Sequence, residues 1–580
     1  MFSKYFLSEL AYLREMGRAF GLANPGVAGM LVERGADPDV ERLLEGFAFL
    51  TARIRERVDD DVPEMVHVLT DLLLPHYLRP VPASTIIEFT PQIRALRGRA
   101  TIPAGVEIGA RPLDGTSCVF RTTSEVELLP LTLEEALLDK SSVTSPVLRL
   151  FFQAHEQIYP EIFRPAGLRL FLHAELATSA LMLVWLMRYC RGVQVNNDFG
   201  KSVQLGPQSI HALGFDPAFR LLPWPRSAEG YRQLQEYFTL PEKFLFFEVR
   251  GLDAAKHIAS DRFELAFQFE RPPPMEARVG QEMFRLYCAP AINLFSASAH
   301  PLRHSVLSHD QFLRAEGVEP RHMEVFSVDS VTGLEAGSNE RRNYRPFFEF
   351  AHAAGDSVEP AFYRLRRAAS PIDDGIDTYL SLETPRDMMP SIAEETLSIE
   401  LTCTHRSLPT RLQVGDVHLP TITSPTNARF TNISPVSRPA RAPLGTELHW
   451  RLLSHLAVNQ QSLADVEVLR RLLELYNFKA LTDDLAARAT RLRINAIRSV
   501  EVRAGTRFLD GSPLRGNRVT VALDETNFLG AGDAFLFGCI LDELFASNVT
   551  LNSFNELGIR LQPSQMEYMW RPRNGSQLTL

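Results

Sequence analysis

The sequence predicts an α+β, multi-domain chain: an N-terminal helical bundle region (residues 1–80), a β-rich middle with room for two subdomains (81–370) and an α+β C-terminal domain (371–580). Three observations carry this. The 580 residues imply three or four domains at ~100–200 residues each. Apolar residues repeat at helical spacing up to about residue 80. Beyond Pro80 the pattern becomes short alternating or β-branched runs punctuated by Gly and Pro, with helical periodicity returning near Glu447.

The first helix is set by Phe6, Leu10, Leu13 and Phe20, which make one stripe with Gly17 in the intervening position, and it should end near Asn24-Pro25-Gly26. Asp37-Pro38-Asp39 then supplies an N-cap carboxylate, a first-turn proline and acids that suit the positive helix end. Val40, Leu43, Phe47, Leu50 and Ile54 follow at 3-4-3-4 spacing, the pattern of a bundle or coiled-coil seam. A third helix is expected from Pro63 to Pro75, with Val66, Leu69 and Leu73 on one face. Leu44, Phe49, Leu72 and Leu74 lie outside these stripes. Such a surplus asks for burial from a second direction, in a multi-helix assembly or a self-contained three-helix domain.

In the middle, strands are expected at Thr85–Phe89, Ala100–Ile102, Val106–Ile108, Cys118–Thr122, Phe244–Val249 and Phe263–Phe269, and helices at Ala174–Cys190 and Gly230–Phe238. Arg271–Pro274, Ser370–Gly375 and, above all, Ser424–Pro443 read as linkers or long loops. The C-terminal part offers helices at Glu447–Leu456, Ala464–Tyr476 and Asp533–Phe545, and strands at Arg498–Val502, Arg518–Leu523 and Gly558–Gln562.

Composition excludes several classes. A formal charge of −9 gives no reason to expect general nucleic-acid binding, although Arg488, Arg491, Arg493, Arg498, Arg503, Arg507, Arg515 and Arg518 form a locally basic stretch that a nucleic acid or an acidic partner could meet. Five dispersed cysteines suggest neither a disulfide framework nor a zinc knuckle and fit a reducing compartment. The best apolar run, Ala180–Met187, falls far short of a membrane helix, and Glu9, Arg14 and Glu15 interrupt any signal-peptide core, so a cytoplasmic chain without direct membrane insertion is expected.

No catalytic, cofactor-binding or metal-binding set emerges. Gly200-Lys201-Ser202 has Val195 where a phosphate loop needs its first glycine, and Gly530-Ala531-Gly532 reads as a helix-entry turn. Pro301 breaks the helix that His300 and His304 would need to form a zinc pair, with His309 nearby. Asp59-Asp60-Asp61 and Asp373-Asp374 read as caps and solvated turns, and there is no Gly-x-Ser-x-Gly elbow. A hydrolase using a cleft between the middle and last domains stands as the enzymatic alternative.

Longer strings are more specific. Tyr5, Glu9-Leu10, Leu13-Arg14-Glu15, Gly17 and Phe20, then the run Asp37 to Arg53 and Pro75-His76-Tyr77-Leu78-Arg79-Pro80, resemble the N-terminal signature of the TssF (VasA/ImpG) family of type VI secretion baseplate proteins. The resemblance continues at Gly230 to Phe238, Pro241 to Phe244, Leu401 to Arg406 with Leu408-Pro409, Leu448 to Leu452, Phe535 to Gly538, Asn552-Ser553-Phe554 and Trp570-Arg571-Pro572. One departure is His405, where the family pattern more often has asparagine. The resemblance implies a non-enzymatic structural subunit similar to contractile-phage baseplate wedge proteins. Two copies would wrap one TssG, with TssK attached mainly through TssG. Wedges would surround the VgrG hub with TssE and the TssB/TssC sheath, at the inner-membrane-anchored secretion complex. The expected bundle interface comprises Phe6, Leu10, Leu13, Phe20, Leu43, Phe47, Leu50 and Ile54. Phe537 and Phe554 are expected in the core.

Overall fold

The computed structural model describes residues 2–24, 26, 38–92, 96, 98–141, 145–155, 167–224, 229–258, 260–274, 279–304, 310–335, 341–347, 362–371, 373, 375–383, 395–444, 451, 462–509 and 512–575. Two compact units form: residues 1–78 with 444–452, and 79–443 with 453–580.

The smaller unit contains helix α1 (Phe2–Ala23) and helix α2 (Pro38–Leu73), joined across 27 sequence positions by the Arg14–Glu41 ion pair. α1 stops just before Asn24, as the Asn-Pro-Gly signal requires, and α2 starts on Pro38 with Asp39 and Glu41 in its first turn. The expected break at Pro63 is absent: one 36-residue helix runs through it, and Asp59-Asp60-Asp61 fall inside that helix rather than at a cap. A mid-helix proline costs one N–H bond and a clash, about 3 kcal/mol, which the turns on either side must offset.

The larger unit holds the sheets. In the six-stranded one the order is Val417–Pro420, Glu107–Ala110, Val119–Thr122, Cys288–Ile292, Ser84–Pro91, Ala428–Asn432. A five-stranded antiparallel sheet runs Ser202–Leu205, Cys190–Asn197, Arg262–Phe269, Val147–Ala154, Leu131–Asp139. An eight-stranded sheet centres on Glu395–Thr404 paired with Glu324–Glu335 over a core of Leu397, Ile399, Leu401 and Cys403. Two sheets therefore cross the expected division at 370/371.

Ser424–Pro443 is not a linker. Ala428–Asn432 pairs with Ser84–Pro91, and Val81 and Ala440 exchange both backbone bonds, at 2.7 and 2.9 Å. The segment's prolines lack N–H groups, and serine hydroxyls supplement the ladder. The amide of Ile86 donates to Ser434 Oγ and that of Ser84 to Ser437 Oγ, each at 2.9 Å. The Asn432 carboxamide accepts from the amides of Gly415 and Val417 and so ties the first strand of this sheet to its last. Ser370–Gly375 is likewise a hairpin turn, closed by Ser370 N–H to Gly375 O at 2.9 Å between Phe362–Ala369 and Ile376–Glu383.

Among the described residues, five further helices follow: α3 (Leu176–Val184, continued by a π-helical turn to Tyr189), α4 (Glu229–Thr239), α5 (Val466–Leu475), α6 (Asp484–Asn495) and α7 (Ala531–Ser547). Gly530 enters α7 at φ 133°, the helix-entry turn the sequence suggested. The helix expected at Glu447–Leu456 falls almost wholly outside the described residues. Phe244 and Leu245 belong to a 3-10 turn after Pro241, and the strand begins at Phe246. The final sheet runs Ile497–Leu509, Ser512–Asp524, Ser553–Gln562, Glu567–Met569, with Arg573–Asn574 pairing on Ser553–Gln562. Phe537 and Phe554 are buried.

Candidate assembly surface and the buried polar clusters

α1 and α2 are amphipathic, but their apolar residues divide between two faces. On α2, Ala48 and Ala52 are fully buried while Glu41, Leu44 and Thr51 are half-buried. These lie at 3–4 residue spacing and mark the covered face. At about 100° per residue, the Leu43, Phe47, Leu50, Ile54 stripe lies on average about 130° around the helix from Ala48. It points outward: these side chains are 72, 59, 60 and 63% exposed. On α1, Leu10 is buried, Phe6 and Leu13 are half-buried, and Phe20 is exposed.

Of the eight seam residues expected, the structure thus leaves five open to solvent and turns Leu10 inward. Leu7, Tyr12 and Met16 on α1 and Phe49, Leu69 and Leu73 on α2 are also exposed. Tyr12, Met16 and Phe20 follow one i, i+4, i+8 row, a pattern present in the sequence but masked by the stronger stripe through Leu10. Of 25 exposed large hydrophobics among the described residues, 11 fall on these two helices of 22 and 36 residues. Folded chains seldom leave large apolar side chains exposed at this density on so small a part of their surface.

The strings shared with the family also form buried polar clusters. All of Gly230–Thr239 in α4 is buried. Glu236 accepts from Lys243 Nζ at 2.6 Å, from the amides of Leu221 and Leu222 at 2.9 and 3.0 Å, and from Arg232. Burial alone would raise its carboxyl, but Lys243 and Arg232 outweigh this and hold it below the usual carboxylate range. Lys243 also donates to Gly214 O at 2.6 Å, and Arg232 pairs with Glu229. α4 lies close against α7. Tyr237 donates to Asp533 at 2.9 Å, Arg493 pairs with the same carboxylate at 3.0 Å, and a side chain on Gly230 would meet the Glu543 carbonyl.

Phe535–Gly538 and Trp570, far apart in sequence, meet directly: Gly538 leaves room for the indole, and Phe535 stacks on it at 5.4 Å. Arg406, at φ 49°, is fixed by Asp373, Asp377 and the Met323 carbonyl. Asp373 thus serves a turn and an ion pair. The basic stretch near residue 500 is largely paired: Arg491 with Glu474, Arg498 with Asp524, Arg503 with Glu501 and Arg518 with Glu556.

Among the described residues, no cluster of three or more His, Cys, Asp or Glu side chains could hold a metal ion, and His309 and the His304 side chain lie outside them. No described helix is long and apolar enough to cross a membrane.

Comparison with known proteins agrees with the sequence strings. The family model described as "Type VI secretion system, TssF" matches residues 1–577. The type VI secretion system component TssF1 of Pseudomonas aeruginosa is 30% identical over 624 aligned positions covering 100% of this chain and 99% of that protein. Among solved structures, a chain of the TssK-TssF-TssG baseplate subcomplex, determined by cryo-electron microscopy, superposes with a TM-score of 0.76 at 30% identity, covering 93% of this chain and 99% of its own. A chain of the type VI secretion system baseplate complex gives 0.59 at 27% identity with full coverage of both. This chain belongs to the TssF family of the type VI secretion system.

Proposed function

We propose that the chain is a structural subunit of the type VI secretion baseplate, in which the exposed faces of α1 and α2 are covered by TssG and a second copy of the chain. The observation that carries this reading is the outward stripe Leu43, Phe47, Leu50, Ile54 on a helix whose opposite side is already buried. Likeness to a chain of a TssK-TssF-TssG subcomplex supports TssG and TssK as partners. Two copies would wrap one TssG, and TssK would join mainly through TssG. The VgrG hub, TssE and the TssB/TssC sheath would be met in the complete baseplate, docked in the cytoplasm against the inner-membrane complex. The role is mechanical, and the family match gives the hydrolase alternative no support. Covering the stripe would contribute ~25 cal/mol per Å² of apolar surface, less the association cost.

Leu50→Asp is the test. Its side chain is exposed, so the isolated chain should unfold as wild type does, while co-purification with TssG is lost; a complex of unchanged two-to-one mass would refute the assignment.

A further inference from the structure

In the larger unit, one long strand leaves its outer edge open. The hairpin Ile497–Leu509/Ser512–Asp524 pairs strand to strand over its full length, and its second strand is covered by Ser553–Gln562. The first strand is the edge of the sheet. Among the described residues, 499–508 make no backbone bond outside the ladder to Ser512–Asp524. Among the described residues, the strands at the other ends of the sheets are short, at two to four residues, are tied by Asn432, or, in the nine-residue strand Leu131–Asp139, are interrupted by a bulge between Leu133 and Glu135. Here the register shifts only between Ile497 and Ser499, and the next eleven residues run unbroken. Long regular edges are what folded proteins ordinarily avoid, because their free N–H and C=O groups template another strand.

The two faces of this edge differ. Arg503 and Arg507 share one face, and Arg518 lies directly opposite Arg503 across the hairpin. Between them Gly505 and Gly516 face each other over the Phe554 ring. The stretch 498–518 holds five arginines against two acids; Arg498 and Arg518 are paired with Asp524 and Glu556, and Arg507 donates to the Pro572 carbonyl at 3.4 Å, which leaves Arg503 and Arg507 without a carboxylate from another strand among the described residues. Among the described residues, Arg503 is matched only by the exposed Glu501 at 3.2 Å, a pair of small energetic weight. On the other face Val519, Val521 and Leu523 are buried, and the same layer continues outward to Val502 and Phe508, which are exposed, Phe508 by 75%.

We propose that the outer edge of the strand Ile497–Leu509 accepts an extended segment of a partner protein as an added strand, with acidic residues alternating with apolar ones. The acids would meet Arg503 and Arg507, the apolar residues would cover Val502 and Phe508, and main-chain bonds would supply a sequence-tolerant part of the affinity. A second copy of the same edge is disfavoured, since arginines would oppose arginines. A nucleic acid would use the arginines but neither the backbone ladder nor the apolar row.

The full-length protein is titrated into a fluorescein-labelled seven-residue peptide of alternating glutamate and valine, read by anisotropy. Binding is expected, weakened about tenfold by the Arg503→Glu/Arg507→Glu double variant and abolished when alternate peptide amides are N-methylated. No binding, equal binding of the N-methylated peptide, or equal affinity of the double variant would overturn the proposal. So would a single-stranded RNA that displaces the peptide from the wild-type protein at lower concentration than unlabelled peptide does. The N-methylated arm needs no variant to fold.

Discussion

Asn293 and His405 hold each other by two bonds across 112 residues: the His405 amide donates to Asn293 Oδ1 at 2.9 Å, and Asn293 Nδ2 donates to His405 Nδ1 at 2.9 Å. The same Asn293 nitrogen reaches the Val119 carbonyl at 2.7 Å, so Nδ1 is the acceptor and the imidazole is neutral with its proton on Nε2. Burial, reinforced by His322, lowers the ring to about 4. An unfolded histidine takes up its proton near 6.5, so this site's contribution is complete above that pH and is lost as pH falls toward 4. Between pH 7.5 and 5 the wild type should lose about 2 kcal/mol on this account. In His405→Asn, which keeps an acceptor for Asn293 without a titrating group, that part of the loss disappears. Urea midpoints at the two pH values measure it, and an equal pH sensitivity in the variant would contradict the assignment.

The buried ion cluster gives an ordered prediction. Glu236 balances two cations, Arg232 and Lys243, all three side chains being inaccessible. Glu236→Gln strands Lys243 and leaves Arg232 with Glu229 alone, and should cost about 3–5 kcal/mol, the range for breaking a buried pair from one side. Lys243→Met leaves Glu236 with Arg232 and the Leu221 and Leu222 amides, so it should cost clearly less. Urea unfolding with unchanged m-value reads the order, and the reverse order would show that Lys243 anchors the cluster instead.

Local signals locate α1, α4, α5, α7 and nine of the strands, because helix caps, proline positions and alternation act over a few residues. Local signals fail where distant partners decide. Nothing within a few residues of Pro63 shows that α2 continues through it. The composition of Ser424–Pro443 is that of a loop, yet Ser434 and Ser437 complete a ladder with residues about 350 positions earlier. The apolar stripe of α2 was visible in the sequence, but its outward direction was not: the face buried within the chain is marked by Ala48 and Ala52, residues too small to stand out in a hydrophobic pattern. The Arg232–Glu236–Lys243 cluster carries no local mark of burial: Arg232 and Glu236 sit at the i, i+4 spacing that solvated helices also use, and Lys243 lies in the turn beyond Pro241. Only the neighbours contributed by Gly214, Leu221 and Leu222 make it a core.

The cysteines should be nearly silent. Burial pushes the thiols of Cys118, Cys403 and Cys539 up to about 12, Cys190 to about 11 and Cys288 well above its usual value. The thiolate is the reacting species, so native alkylation by iodoacetamide at pH 8 should run at least about a hundredfold slower than in urea. Mass spectrometry counts the added groups, and one cysteine labelled rapidly in the native chain would show that its region opens.

Two glycines inside helices should respond to alanine in opposite directions. Gly532 in α7 touches α3: a side chain there would come within 2.3 Å of the Leu181 backbone nitrogen, and backbone cannot step aside as a flexible side chain can. Gly532→Ala should therefore force α3 and α7 apart and cost about 1–3 kcal/mol or more, the penalty for overpacking. Gly46 in α2 is exposed, with nothing within 4 Å of its missing side chain. There alanine only removes backbone freedom from the unfolded chain, and Gly46→Ala should stabilise α2 by about 0.5–1 kcal/mol. Thermal unfolding of the isolated chain compares the two. Because Gly46 lies on the exposed side of α2, the same variant mixed with TssG reports on packing: a gain in stability alone together with weakened complex formation would mean that the partner approaches the helix backbone closely at this point, whereas an unchanged complex would keep the contact on the larger side chains of Phe47 and Leu50.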